Sequence, residues 1–301
     1  MRYAITGPTG AIGSEIVRLA LSEGHEVLAI VRPNSSRLGN LPEHRNLKII
    51  ECELSQYDSL PSNEKCDVFI HLGWGNTLNG QRDDVRIQVD NIGYALDAVD
   101  LAHRWGASAF IGAGSQAEYG HSDEDLTSDT PTRPTSGYGI AKCAAGRMCG
   151  LRCSQLGMRF CWVRILSVFG PNDSKSTLIS YLLESFLDGR VPELTECKQV
   201  WDYLYAKDAA RAFLLIGDKG RDGSTYVLGS GSKRTLKEYV LALRDTVGSS
   251  LGPEFGKKPY YPHQAMRLCA DISKLTEDTG FVPKYSFEDG IRDILKNRGL
   301  R

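Results

Sequence analysis

Tyr138 and Lys142 stand four residues apart in the run Tyr138-Gly139-Ile140-Ala141-Lys142. On a helix this spacing places both side chains on one face, a single turn apart. A free phenol titrates near pH 10, roughly. Acid/base work at neutral pH therefore needs a cation close by to stabilise the phenolate, and Lys142 would supply it. A third group comes from Ile111-Gly112-Ala113-Gly114-Ser115-Gln116-Ala117-Glu118-Tyr119-Gly120. Here Ser115 directly follows an apolar run, Ala109 to Ala113, that reads as a strand. At the carboxyl edge of a parallel sheet its hydroxyl would hydrogen-bond a reacting oxygen beside Tyr138. Each feature alone is ordinary, since YxxxK recurs by chance and a serine after a strand is commonly a turn. Their order along one α/β pattern gives them weight.

The cofactor for such chemistry is suggested at the start of the chain. Gly7-Pro8-Thr9-Gly10-Ala11-Ile12-Gly13 lies between the first strand, Tyr3 to Thr6, and the first helix, about Ser14 to Glu23. A glycine turn at that place lets backbone amides and the helix N-terminus approach a pyrophosphate. An NAD site usually ends its second strand in an acid that accepts from the ribose hydroxyls. Here the strand ends Ala29-Ile30-Val31-Arg32, and Ser35, Ser36 and Arg37 follow. Positive charge and donors suit a 2′-phosphate, so NADP is expected over NAD. Solvated loop arginines are the plainer alternative.

The elements that must position these groups alternate in the first half. Strands are predicted at Glu26 to Val31, Leu47 to Cys52, Asp67 to Leu72, Ala109 to Ala113 and Phe160 to Ile165, with helices near Ile87 to Trp105 and Gly139 to Leu156. This implies an α/β fold, a Rossmann doubly wound parallel sheet with helices on both faces. Beyond Gly170-Pro171 the pattern loosens, with helices near Leu178 to Asp188 and Lys207 to Ile216 among turn-rich segments. We read residues 1–169 with 203–228 as the cofactor domain, and 170–202 with 229–301 as a smaller C-terminal α/β lobe closing a substrate cleft.

Composition narrows the function classes. The 301 residues are 41% hydrophobic and 24% charged, with a formal net charge of -1, which disfavours nucleic acid as a partner. No stretch is apolar enough to span a bilayer. Met1 runs straight into the first strand without room for a signal peptide, so a cytoplasmic location is expected. The eight cysteines contain no CxxC and the six histidines no HExxH, so neither a disulfide framework nor a metal is predicted.

Taken together, Gly7 to Gly13, Ser115 with Tyr119-Gly120, Tyr138 to Lys142, Arg164 to Pro171 (RILSVFGP) and Val200 to Asp208 (VWDYLYAKD) resemble the extended short-chain dehydrogenase/reductases, specifically the NAD-dependent epimerase/dehydratase family that acts on nucleotide sugars. The resemblance spans essentially the whole chain. It implies that Ser115 and Tyr138 bind the sugar oxygen being oxidised or reduced and that Lys142 also holds the nicotinamide ribose. Gly7, Thr9, Gly10, Ala11, Ile12 and Gly13 would hold the cofactor pyrophosphate, and Arg32 and Arg37 the adenosine phosphate. Glu53 and Leu54 would lie near the adenine and Leu72 and Gly73, after His71, near its ribose, with Asn91 and Ile165 completing the cofactor site. Trp74, Gln116, Ser167, Trp201 and Asp202 would meet the nucleotide sugar.

Two departures from the family pattern matter. The dehydratases carry Asp-Glu directly after the catalytic Ser or Thr, where this chain has Gln116 and Ala117, so elimination of water is disfavoured. Family epimerases often have Asn at the place of Ser167. The leading expectation is NADPH-dependent reduction of a nucleotide-linked 4-keto-6-deoxysugar, and the Gly114 to Gly120 segment is similar to that of deoxysugar reductases. An NAD-dependent 4-epimerase uses the same three residues and is the alternative. A dinucleotide sensor without catalysis is a third reading, which the Tyr138/Lys142 pair argues against. A homodimer is expected.

Overall fold

The computed structural model describes residues 1–77, 80–261 and 264–300. The first half is built from Arg2–Thr6 (β1), Ala11–Ser22 (α1), Glu26–Val31 (β2), Leu47–Glu51 (β3), Val68–His71 (β4), Val85–Arg104 (α2), Ala109–Ser115 (β5), Gly137–Gln155 (α3) and Arg159–Ile165 (β6). The remainder contains Ser167–Phe169 (β7), Leu178–Leu187 (α4), Val200–Trp201 (β8), Tyr203–Tyr205 (β9), Ala206–Lys219 (α5), Ser224–Leu228 (β10), Arg234–Thr235 (β11), Leu236–Val247 (α6), Arg267–Leu268 (β12), Ser273–Thr279 (α7) and Phe287–Asn297 (α8).

β1 alternates Tyr3 and Ile5 toward one face with Ala4 toward the other, and all three are buried. A strand apolar on both sides belongs inside a sheet covered by helices on both faces. Accordingly seven parallel strands form one sheet in the order β10-β6-β5-β4-β1-β2-β3. α1 and α5 pack together on one face, where Ile16, Val17, Phe213 and Ile216 are buried. α2 and α3 cover the other through Ala95, Val99, Ala145 and Cys149. The strand order reverses between β1 and β4, and their carboxyl ends open the crevice in which such sheets bind ligands. This is the expected Rossmann-like arrangement.

The second half is more regular than the sequence reading allowed. The stretch after Gly223 forms an edge strand, β10, parallel to β6. Helices α6 and α8 also form, where the sequence reading named no element. Each begins in a reciprocal cap, Thr235 with Glu238 and Ser286 with Asp289. Such caps satisfy the free amides of the first turn, and they are the local signal that reading passed over. With α4, these helices bury Leu182, Val240 and Ile291 around Phe169 and Tyr205. The short strands form two small sheets, β7-β9 and β11-β8-β12. No helix among the described residues is long and apolar enough to cross a membrane.

Candidate active site

The glycine turn sits where β1 meets α1. Gly7 has φ +65, and a Cβ there would lie 3.0 Å from the Gly73 nitrogen; a Cβ on Gly13 would lie 2.3 Å from the Gly7 carbonyl oxygen. Both positions thus exclude any side chain, and the turn is pressed between β1, α1 and the segment after β4. Gly10 caps α1 without a side-chain hydrogen bond, and the first turn of the helix holds no acid. The amides around Ala11 and Ile12 are left as a positive helix end, which favours an anion such as a pyrophosphate. Behind it, Thr6 Oγ1 accepts from the Leu72 and Gly73 amides at 3.1 and 3.0 Å and lies 2.9 Å from His71 Nδ1, locking the two loops together. Asn40 donates to the Thr9 carbonyl at 2.9 Å. Burial pushes His71 down to about 3, so its ring is neutral.

Other expected cofactor residues lie along the same edge. Leu54 closes on Gly73, where a Cβ would sit 3.0 Å from Leu54 Cδ2. Glu53, Arg32 and Arg37 are exposed, and neither arginine is in an ion pair among the described residues. Asn91 is held against the loop after β4. Its Oδ1 accepts from the Gly75 amide at 2.8 Å and its Nδ2 donates to the Gly75 carbonyl at 3.1 Å. Both ends of the amide are therefore engaged in shaping the loop that carries Trp74.

Ser115 ends β5, and Tyr138 and Lys142 occupy the first two turns of α3, so all three meet at the carboxyl edge of the sheet. All are buried. Lys142 Nζ donates to the Ala113 carbonyl at 2.7 Å and lies 3.6 Å from the Trp74 ring centroid, 5.8 Å from that of Tyr138. Trp74 is fixed by donating Nε1–H to Gln88 at 2.9 Å and meets Tyr138 edge-on at 6.1 Å. Burial pushes Lys142 down to about 7, against the pull of the Glu118 carboxylate. Burial raises the Tyr138 hydroxyl, while a hydrogen bond with Ser115 and the Arg82 guanidinium draw it back down. Arg82 lies 4.9 Å from the Tyr138 ring centroid. The nearest cation to that ring is thus a residue the sequence reading did not single out, and Lys142 is tied to the main chain.

Ser115, Tyr138 and Arg82 border a cleft of about 600 Å³. Gln116, Ile165, Ser167, Trp201 and Tyr203 line it as well. The model of the NAD dependent epimerase/dehydratase family matches residues 3–229. The chain belongs to that family. It is therefore an enzyme of the extended short-chain dehydrogenase/reductase type. It is 24% identical to the dTDP-glucose 4,6-dehydratase of Streptomyces griseus over 298 residues, covering 95% of this chain and 90% of the relative. It is also 24% identical to the UDP-glucose 4-epimerase of Mycolicibacterium smegmatis over 308 residues, 98% of each chain. Its fold matches the UDP-glucose 4-epimerase of Thermus thermophilus, solved in complex with NAD, with a TM-score of 0.84 at 23% identity over 99% of both chains.

Within this family frame, two of the expected substrate residues behave differently. Trp201 faces the cleft and donates its Nε1–H to Ser167 Oγ at 2.8 Å, so the two form one wall. Asp202 is fully buried and points away. Its Oδ1 accepts from the amide and hydroxyl of Ser230 at 2.8 and 2.6 Å, its Oδ2 from the amides of Gly231 and Ala270 at 3.0 and 3.3 Å. A carboxylate so satisfied anchors two loops of the smaller lobe and has no lone pair facing the cleft. Among the described residues, no group of three or more His, Cys, Asp or Glu could hold a metal ion.

Proposed function

We propose that the protein is an NADP-dependent oxidoreductase that reduces a nucleotide-linked 4-keto-6-deoxysugar. The observation that carries this reading is the meeting of Ser115 and Tyr138 on one cleft at the carboxyl edge of the sheet, with Lys142 one helical turn along α3 and held by the Ala113 carbonyl. In it, residues 1–169 with 203–228 hold the dinucleotide on the bare N-terminus of α1, and 170–202 with 229–301 hold the nucleotide sugar. A nicotinamide dinucleotide held there, its ribose by Lys142, would supply the hydride for the carbonyl carbon. Ser115 orients the carbonyl oxygen, and Tyr138 gives that oxygen the proton that completes the alcohol. The exposed Arg32 and Arg37 after β2 support NADP.

Elimination of water is not part of the proposal. Gln116 and Ala117 offer no acid, and the next carboxylate, Glu118, is directed inward onto Trp162 and Arg164. A 4-epimerase is the second reading, supported by the UDP-glucose 4-epimerase relative and by NAD in the Thermus structure. Purified protein incubated with NADPH and UDP-, dTDP-, GDP- and CDP-linked 4-keto sugars, and in parallel with the corresponding 4-hydroxy sugars without added cofactor, separates the two. Consumption of NADPH favours the reductase, whereas turnover with retained NAD and no added cofactor favours the epimerase. In either case Tyr138→Phe should lower turnover by about 100-fold or more while cofactor still binds. Wild-type turnover in that variant would sink the mechanism.

We also infer a cytoplasmic homodimer. Val85 and Val89 of α2 and Ile140, Met148 and Leu151 of α3 are exposed apolar side chains on adjacent helices, suited to a second copy. All eight cysteines are free thiols, in keeping with a reducing compartment.

A further inference from the structure

Glu118 is a carboxylate that the cleft chemistry does not use, yet it is 1% exposed and lies three residues after Ser115. Its Oε1 accepts from the Ser115 amide at 2.8 Å and from Trp162 Nε1 at 2.9 Å. Its Oε2 accepts from Arg164 Nε at 2.9 Å, and Cys143 Sγ, next to Lys142 on α3, lies 4.0 Å away. One carboxylate thus joins the end of β5, the middle of β6 and the helix that carries the reacting pair. The backbone is shaped around it, since a Cβ on Gly114 would fall 2.5 Å from Glu118 Oε1 and 2.4 Å from Trp162 Nε1.

We propose that Glu118 is a positioning residue for the reacting unit, fixing Ser115 through its amide and placing a negative charge on Trp162 Nε1, whose ring lies 5.9 Å from the Lys142 ammonium. This rests on the reading of Ser115, Tyr138 and Lys142 as that unit. A buried carboxylate is costly unless paired. Arg164 pairs it while the guanidinium lies over Tyr119, 4.7 Å from its ring centroid, so the cation is held on the side of β6. The surroundings of Lys142 make an anion consequential. His71 from β4 is neutral, Trp74 from the following loop and Trp162 from β6 present rings, and β5 presents the Ala113 carbonyl. On α3 its companions are Tyr138 and Cys149, both uncharged at neutral pH because burial raises them. Glu118, from the turn after β5, is the carboxylate that acts to keep the ammonium protonated against burial.

The test follows the Lys142 ammonium directly in protein labelled with ¹⁵Nζ-lysine, its resonance identified by its loss in Lys142→Met. In Glu118→Gln the midpoint of its titration should fall by about one pH unit. In Arg164→Gln it should stay at or above the wild-type midpoint, because the anion remains. Loosening of the fold would instead move both variants the same way. A wild-type midpoint in Glu118→Gln, or a fall in both, overturns the proposal. If Glu118→Gln does not fold, a fall in Arg164→Gln overturns it alone, and Glu118→Asp, which keeps the charge, should retain the wild-type midpoint. With whichever nucleotide-linked 4-keto sugar the wild type reduces, the alkaline limb of turnover should move down in Glu118→Gln by the same amount. If none is reduced and Tyr138→Phe matches wild type on every sugar tried, the catalytic reading fails while the titration still decides the role of Glu118.

Discussion

Replacing Lys142 with methionine should stabilise the folded protein while removing its activity. The lysine is buried, and its pKa falls from 10.5 to about 7. Between those values the unfolded chain binds a proton that the folded chain has released, so stability rises with pH across that window. At pH 7 the displacement opposes folding by about 4 kcal/mol, and at pH 9 by about 2 kcal/mol, because the unfolded lysine is then less favoured in its charged form. Methionine relieves this burden but leaves the Ala113 carbonyl, now bonded at 2.7 Å, without its donor. A buried acceptor left unpaired costs about 1–3 kcal/mol. The net gain should be about 2 kcal/mol at pH 7, roughly 3 °C in Tm for a chain of this length, and near zero at pH 9. Thermal unfolding of the cofactor-free protein and the variant at both pH values measures it. A variant that melts below wild type by an equal margin at pH 7 and pH 9 would refute the idea of a strained buried ammonium.

Arg32→Asp should erase or reverse the preference for NADP(H). Loss of one charge-assisted phosphate contact should weaken NADP(H) by about 10-fold or more, read as dissociation constants for the two cofactors, and unchanged constants would remove the phosphate role. Leu151→Lys places a charge in the exposed apolar stripe of α3 and should convert a dimer to a monomer with an unchanged circular dichroism spectrum. Sedimentation measures the mass, and a wild-type protein that is already monomeric would end that proposal.

The residues legible in the sequence are those whose signal is local. Tyr138 and Lys142 declare themselves by helical spacing. The Gly7 to Gly13 turn is legible because its place between a strand and a helix requires glycine whatever the rest of the chain does. The strands β1, β2, β4, β5 and β6 are legible because burial on both faces leaves continuous apolar runs, whereas β3, at the sheet edge with no buried residue, shows only a short apolar run. The two- and three-residue strands of the second half are too short to show a period, and β10 is an edge strand recognisable only by its pairing with β6.

The environment that sets the chemistry was decided by tertiary structure. Trp162 and Arg164 reach Glu118 across 44 and 46 residues, and Asp202 turns inward because Ser230, Gly231 and Ala270 converge on it. No spacing along the chain encodes such contacts, since they follow from which strands become neighbours and how each connection returns. The same holds for Trp74 over Lys142 and Arg82 over Tyr138. The sequence by itself determined that a tyrosine and a lysine share one helix face and that a glycine turn joins β1 to α1. The burial and facing charges that tune them exist only once the strand order has brought distant segments to one edge of the sheet.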